Sequence, residues 1–237
     1  EQAVSLTRSV QDAYMRLEDL RSDLNDELSM RVAEVNRMAD SIAEINDKLR
    51  FINAIGQKSN ELQDQLDLAV EELARLIDIT VHRKDNSTVE IFAWGKMFVQ
   101  EDRAFYLSVQ SSGDDQGLQI VNHHGLPLDM QKGRIQGLLE AVNEDVPHLQ
   151  LELNQIATVI VEEVNALHSA GFGLNQTDSG YNFFVALDPD FPAALQFQVE
   201  DRILTDASNI AASSGAQEPG NGEIALAIAR LRDERTP

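Results

Sequence analysis

No proline stands before Pro127 and no glycine before Gly56, so the opening of this chain contains nothing that stops a helix. Over that stretch Val10, Leu17, Leu24, Met38, Ile45 and Ile52 keep a seven-residue spacing. Tyr14, Leu28, Val35, Ile42 and Leu49 form the companion series four residues later. The pattern predicts a single rigid helix before Gly56, about 80 Å long at about 1.5 Å per residue. Only Arg21 and Arg31 interrupt the seam. A cation there reaches a carboxylate or extends to water, and either way it limits the register of a partner helix. Asp12, Arg16, Asp19, Asp23, Asp26, Glu27, Glu34, Arg37, Asp40, Glu44 and Lys48 lie between the apolar positions and form the wet face. Each large apolar side chain left in water forgoes about 1.5–3 kcal/mol of burial, so later parts of the chain are expected to cover the seam.

Two segments suit that task. Gly56 fits the left-handed residue just past a helix end, and Asn60 with Gln63 reads as a capping pair opening a second helix. Leu62, Leu66, Ala69, Val70, Leu73 and Ile77 form its apolar face. The other candidate runs from Arg134 to Ala170 with Leu149, Leu153, Ile156, Ile160, Val164 and Leu167 on one side, and Pro147 breaks or kinks it. Between them the texture changes. Ile79, Val81, Val89 and Ile91 alternate with polar residues across the turn Asp85-Asn86-Ser87, a hairpin signal. Trp94-Gly95-Lys96, Met97-Phe98-Val99, Phe105-Tyr106-Leu107 and Leu118-Gln119-Ile120 continue as short strands, with Ser111-Ser112-Gly113-Asp114-Asp115 as a loop. After Gly171 the chain is rich in Gly, Pro and Asp, with a strand expected at Leu195–Val199 and a helix near Glu223–Arg232. The expected fold class is mainly α with a smaller β part (α+β): an elongated antiparallel helical bundle with an inserted β-hairpin region. Residues 1–78 and 131–170 would form the bundle, 79–130 the β-rich excursion, and 171–237 a loop and short-strand region whose C-terminal helix returns to the bundle.

Composition narrows the function. Nineteen Lys and Arg against 40 Asp and Glu give a net charge of −21, which repels phosphate backbones and anionic lipid heads. Neither nucleic acid nor membrane is expected as a partner. There is no cysteine, which removes disulfides, thiolate metal sites and cysteine nucleophiles together. No apolar run reaches the length of a membrane helix, the opening Glu1-Gln2-Ala3 does not read as a signal peptide, and the absent initiator Met suggests a piece of something longer.

No arrangement argues for an active site. Asn122-His123-His124-Gly125 offers two imidazoles, but neighbours on a strand face opposite ways and no third ligand follows at helical spacing. His168 lies at a helix end, where a protonated ring would face the last carbonyls. Asp114-Asp115 and Asp188-Pro189-Asp190 lack the oxygen spacing and closing Glu of a calcium loop. Gly171-Phe172-Gly173 follows a helix and lacks the third glycine of a dinucleotide loop. No Gly-x-Ser-x-Gly elbow or phosphate loop occurs. Asn86-Ser87-Thr88 and Asn175-Gln176-Thr177 match the glycosylation tripeptide, which has meaning only in a eukaryotic secretory setting. The reading is no enzyme, with no catalytic, cofactor-binding or metal residue and no cofactor.

Several blocks in order carry a resemblance. Gly133-Arg134-Ile135-Gln136-Gly137-Leu138-Leu139-Glu140 leads to Pro147, then Leu153-Asn154-Gln155-Ile156-Ala157, Val164-Asn165-Ala166-Leu167-His168, Gly171, Gly180 and Phe183-Phe184. Upstream stands Asn60-Glu61-Leu62-Gln63-Asp64-Gln65-Leu66-Asp67. Downstream stand Asn209-Ile210-Ala211-Ala212-Ser213 and Pro219-Gly220-Asn221-Gly222-Glu223-Ile224-Ala225-Leu226-Ala227. This succession resembles the family of the first hook-associated protein of bacterial flagella, found at the hook–filament junction, over nearly the whole chain. Leu66 replaces the family's usual arginine, Lys132 a common second glycine, and Asp85-Asn86-Ser87 a frequent Asp-Gly turn. The family's terminal coiled-coil segments are not found, and its outer β-domain looks reduced, so the chain looks like a truncated core. The resemblance implies a structural adaptor of the bacterial flagellum, secreted by the flagellar export apparatus and extracellular. It would join hook to filament as a ring of copies of itself, between hook protein and the next junction protein. An export chaperone would be met through the C-terminal segment not found here, and the isolated fragment would be a monomer. The alternatives are another flagellar axial protein, flagellin-like or the second junction protein, and a cytoplasmic coiled-coil scaffold or binding module.

Overall fold

The structure, a computed structural model, describes residues 1–113, 117–174, 180–218 and 220–233. Asp114-Asp115, Asn175-Gln176-Thr177 and Pro219 therefore lie outside the described residues. The described chain is mainly α-helical with a smaller antiparallel β part. It folds as two compact units, residues 20–147 and residues 1–19 with 148–237. These are units of packing, whereas the division at 78, 130 and 170 is one of sequence texture.

Helix α1 (Gln2–Ala54) is one uninterrupted helix, as its spacing predicts. It ends as Gly56 does best: at φ 75° its N–H reaches Asn53 O at 3.0 Å, while the Gln57 N–H reaches Ile52 O at 3.1 Å. That bond pair satisfies the last carbonyls of the helix and needs a left-handed residue. Helix α2 (Asn60–Leu76) is capped one residue earlier than expected, by Ser59, whose Oγ accepts from the Leu62 N–H at 3.3 Å. A hydroxyl with an extended backbone fills that role as well as a carboxamide.

Among the described residues, six strands lie between Ile79 and Val121. β1 (Ile79–Arg83), β2 (Val89–Ala93), β3 (Lys96–Gln100) and β4 (Arg103–Ala104) form an antiparallel sheet in chain order, and β5 (Ser108–Ser111) pairs with β6 (Leu118–Val121). Ile79 opposes Ala93 and Val81 opposes Ile91, so the alternating apolar residues share a face. Trp94 and Gly95 are not strand but the hairpin turn between β2 and β3, both at positive φ (49° and 70°), which two-residue turns of matching twist require. Phe105–Leu107, expected as strand, link β4 to β5.

The core of residues 20–147 runs along the seam of α1 from Leu28 to Leu49. It is closed by Leu66 and Leu73 of α2, by Val89, Ile91, Phe98 and Val99 of the first sheet, by Ile120 of the second, and by Ile135. The cover is thus sheet as well as helix. The helical segment expected from Arg134 to Ala170, broken or kinked at Pro147, comes in three pieces: α3 (Arg134–Glu140), a π-helical turn at Ala141–Asp145, and α4 (Val146–Ser169). Pro147 sits at the start of α4, where its missing N–H costs least.

In the other unit, Val10 and Tyr14 of α1 pack with Ala157 and Val161 of α4 and with Phe184, Ala194, Phe197 and Ile203. The expected strand at Leu195–Val199 is instead the short helix α5 (Ala193–Gln196) followed by extended chain. Pro192 caps that helix, its carbonyl accepting from the Leu195 and Gln196 N–H groups, and in the expected strand only Val199 bridges, to Phe184. Helix α6 (Asp201–Thr205) and helix α7 (Glu223–Arg230) complete it.

Candidate functional site

The blocks around Asn165 and His168, Gly171, Phe183-Phe184 and Asn209–Ser213 meet around the end of α4. Asn165 and His168 stand three residues apart, hence on one face. Asn165 is buried, and its Oδ1 accepts from the N–H of Phe183 (2.9 Å) and Phe184 (2.8 Å), while its Nδ2 donates to Phe184 O (2.9 Å). His168 is only 2% exposed. Its Nε2 lies 2.9 Å from the Ala211 backbone nitrogen and its Nδ1 2.8 Å from Tyr181 O. The Ala211 amide can only donate, so Nε2 accepts and Nδ1 carries the proton to Tyr181: a neutral ring in a fixed tautomer. This replaces the expectation of a protonated ring over its own helix end. The His168, Phe183, Phe184 and Phe197 rings follow edge to face or tilted at 4.9–5.4 Å.

Gly171 and Gly173 belong to the same construction. Residues 172–174 lie along 208–213, with Phe172 N–H to Ser213 O and Leu174 N–H to Ser208 O, both 2.8 Å. A Cβ on Gly171 would meet Ile224 Cγ1 at 2.9 Å, and one on Gly173 would collide with Ser208 O. Close approach of two backbones explains this Gly-x-Gly pair, and no nucleotide loop is involved.

The carboxamide device recurs three times in residues 20–147. Asn46 accepts from the Val89 N–H (2.9 Å) and donates to Val89 O (2.8 Å) and Glu101 O (3.0 Å). Asn36 makes the same two-way pair with Leu107, both bonds 2.9 Å. Asn143 makes it with Leu118 at 2.7 and 2.8 Å. A carboxamide presents the donor and acceptor of a peptide unit, so a helix side chain can complete the hydrogen bonding of an extended segment. Sequence reasoning missed these latches by giving the polar seam residues to arginine. Arg31 in fact reaches Glu34 (2.8 Å) and Glu27 (3.4 Å) on its own helix, and its guanidinium is held even more firmly protonated, chiefly by the Glu34 hydrogen bond. Glu27 also meets Arg134 of α3 at 2.7 Å. The available signal was an asparagine beside the seam, since a buried carboxamide requires partners.

The remaining candidates do not assemble chemistry. His123 and His124 occupy an exposed turn and not a strand, so their rings lie together, 3.9 Å between centroids, with Phe105 4.7 Å from His123. Among the described residues, no group of three or more His, Asp or Glu is placed to hold a metal ion. Asp188 Oδ1 accepts from the Asp190 N–H at 3.0 Å, a turn contact. Two open depressions stand out among those described. One, of about 680 Å³, is lined by Asp47, Phe51, Ile52 and Leu62. The other, of about 740 Å³, is lined by Val4, Arg8, Phe183, Val199, Ile203 and Ile210. Neither has a histidine in its wall.

A long helix carrying a β-rich insert, with its distinctive polar residues engaged in joining helices to extended segments, defines a helical structural module. The family model described as the flagellar hook-associated protein FlgK helical domain matches residues 1–184, and the chain belongs to that family. It is 29% identical over 189 residues to flagellar hook-associated protein 1 of Escherichia coli K12, covering 75% of this chain and 34% of that one. It is 28% identical over 184 residues to the protein of the same name from Salmonella typhimurium LT2, covering 73% and 33%. The chain thus spans about a third of the length of these relatives. Among solved structures, the flagellar hook junction protein FlgK from Burkholderia pseudomallei shares the fold, with a TM-score of 0.65 at 23% identity over 78% of this chain and 35% of that one.

Proposed function

We propose that this chain is part of a structural, non-catalytic adaptor subunit of the bacterial flagellum that joins hook to filament. Its partners in this reading are copies of itself in a ring, hook protein on one side and the next junction protein on the other. An export chaperone acts before assembly, and the site of action is outside the cell after flagellar export. The observation that carries the reading is the family match over residues 1–184, which contains the Asn165, His168, Phe183 and Phe184 cluster. The chemistry of that cluster supports it: the side chains that look catalytic by type are hydrogen-bonded to backbone and hold segments together. A net charge of −21 argues against a nucleic-acid partner, and among the described residues no helix is long and apolar enough to cross a membrane.

Immunogold electron microscopy with an antibody raised against the chain tests the proposal on intact cells of its source organism. A single labelled band between hook and filament is the expected outcome. Label along the filament would replace the junction role with that of another axial subunit, and label confined to the cytoplasm would replace it with an internal scaffold.

A further inference from the structure

The turn before α7 holds the only Asn-Gly pair of the chain, Asn221-Gly222, and the groups around it are arranged for a reaction of the backbone itself. Asn221 Oδ1 accepts from the Glu223 N–H at 2.9 Å, and its Nδ2 donates to Glu218 Oε2 (2.7 Å) and Ser214 Oγ (3.0 Å). Ser214 donates onward to Glu223 Oε2. Gly222 is exposed and has no Cβ to shield its nitrogen; a Cβ built there meets nothing within 4 Å.

We propose that Asn221 is a deamidation site, at which the folded turn assists its own modification. The Gly222 backbone nitrogen attacks Asn221 Cγ, and a five-membered ring closes, so the two reacting groups are held together by the chain. The Cγ–Nδ2 bond breaks, the Gly222 amide proton passes to the departing nitrogen, and ammonia leaves. One water then opens the cyclic imide to aspartate or isoaspartate, with no change of oxidation state. The Glu223 N–H faces the oxygen on which negative charge develops during attack. Glu218, already hydrogen-bonded to Nδ2, sets a carboxylate beside the nitrogen that must gain the proton and depart. The product keeps an acceptor for Glu223 but has no hydrogen to give Glu218 or Ser214, and it sets a second carboxylate against Glu218. The clamp between the 213–218 turn and the start of α7 therefore opens as the protein ages.

The test incubates the folded chain in neutral buffer and follows each asparagine by tandem mass spectrometry, reading the exchange of NH for O. Conversion at Asn221 ahead of every other asparagine is expected, at a rate no lower than in the urea-unfolded chain. Gly222→Ala, which the open space accommodates, should slow it at least about tenfold, and Glu218→Gln several-fold. A slower rate in the folded chain, an earlier conversion at another asparagine, or rates unmoved by both substitutions would overturn the proposal.

Discussion

Asn46 shows how one polar side chain decides where a strand ends. β3 leaves the sheet at Glu101, whose backbone is left-handed at φ 52°, and the Asn46 carboxamide takes up the Val89 backbone groups along with Glu101 O. Asn46 and Val89 are each 1% exposed, so removing the carboxamide strands the Val89 N–H and C=O away from water. At about 1–3 kcal/mol for each buried group left unsatisfied, Asn46→Ala is expected to lower stability by about 3 kcal/mol in a urea titration. Asn36→Ala should cost less, because Asn36 is half-buried and water replaces its bonds. His168 gives a sharper check, on a single proton: nitrogen NMR of the imidazole should find the proton on Nδ1 and none on Nε2. The opposite tautomer would contradict the Ala211 contact. Neither role was legible in the sequence, because a latch is defined by the segment it meets. Asn46 and Val89 are 43 positions apart, as are His168 and Ala211, and spacing along a helix says nothing of such pairs.

At the scale of elements the sequence is most informative where the physics is local. The seven-residue spacing and the absence of Gly and Pro suffice for α1, and Gly56 suffices for its end, since both depend on neighbours within two turns. In the 134–170 segment Pro147 was legible, but it stands within α4, and the departure from α-helix, the π-helical turn at Ala141–Asp145, was not. There Asn143 is drawn to Leu118, and the account needs tertiary partners. The β1–β2 hairpin was legible from alternation, and an ion pair spans its turn. Lys84 Nζ lies 2.6 Å from Glu90 Oε1, and that hydrogen bond is the main reason the Glu90 carboxyl is held below its ordinary range. A carboxyl depressed in the folded state adds stability above its unfolded value, and that contribution disappears as pH falls through the lower folded value. Carbon NMR of the side-chain carboxyl should therefore show Glu90 titrating below the ordinary glutamate range. Glu90→Gln should lower stability at neutral pH and have little effect once acid has protonated the wild-type carboxyl. An equal loss at both pH values would mean that the hairpin is closed by packing alone.

For the whole molecule the governing quantities are the net charge of −21 and the presence of a separate buried core in each unit. Each unit buries its own apolar residues, so neither core depends on a second copy of the chain. Like charge then opposes the approach of copies, and dissolved salt screens it over a Debye length of about 10 Å at 0.1 M. Ring assembly in the proposed role has to overcome that repulsion. Light scattering on the isolated chain is therefore expected to give a monomer of 26.3 kDa, with repulsion between molecules that weakens steadily as salt is added. A defined high oligomer at low salt would show that contacts within these 237 residues already outweigh the charge. The adaptor would then assemble through these residues.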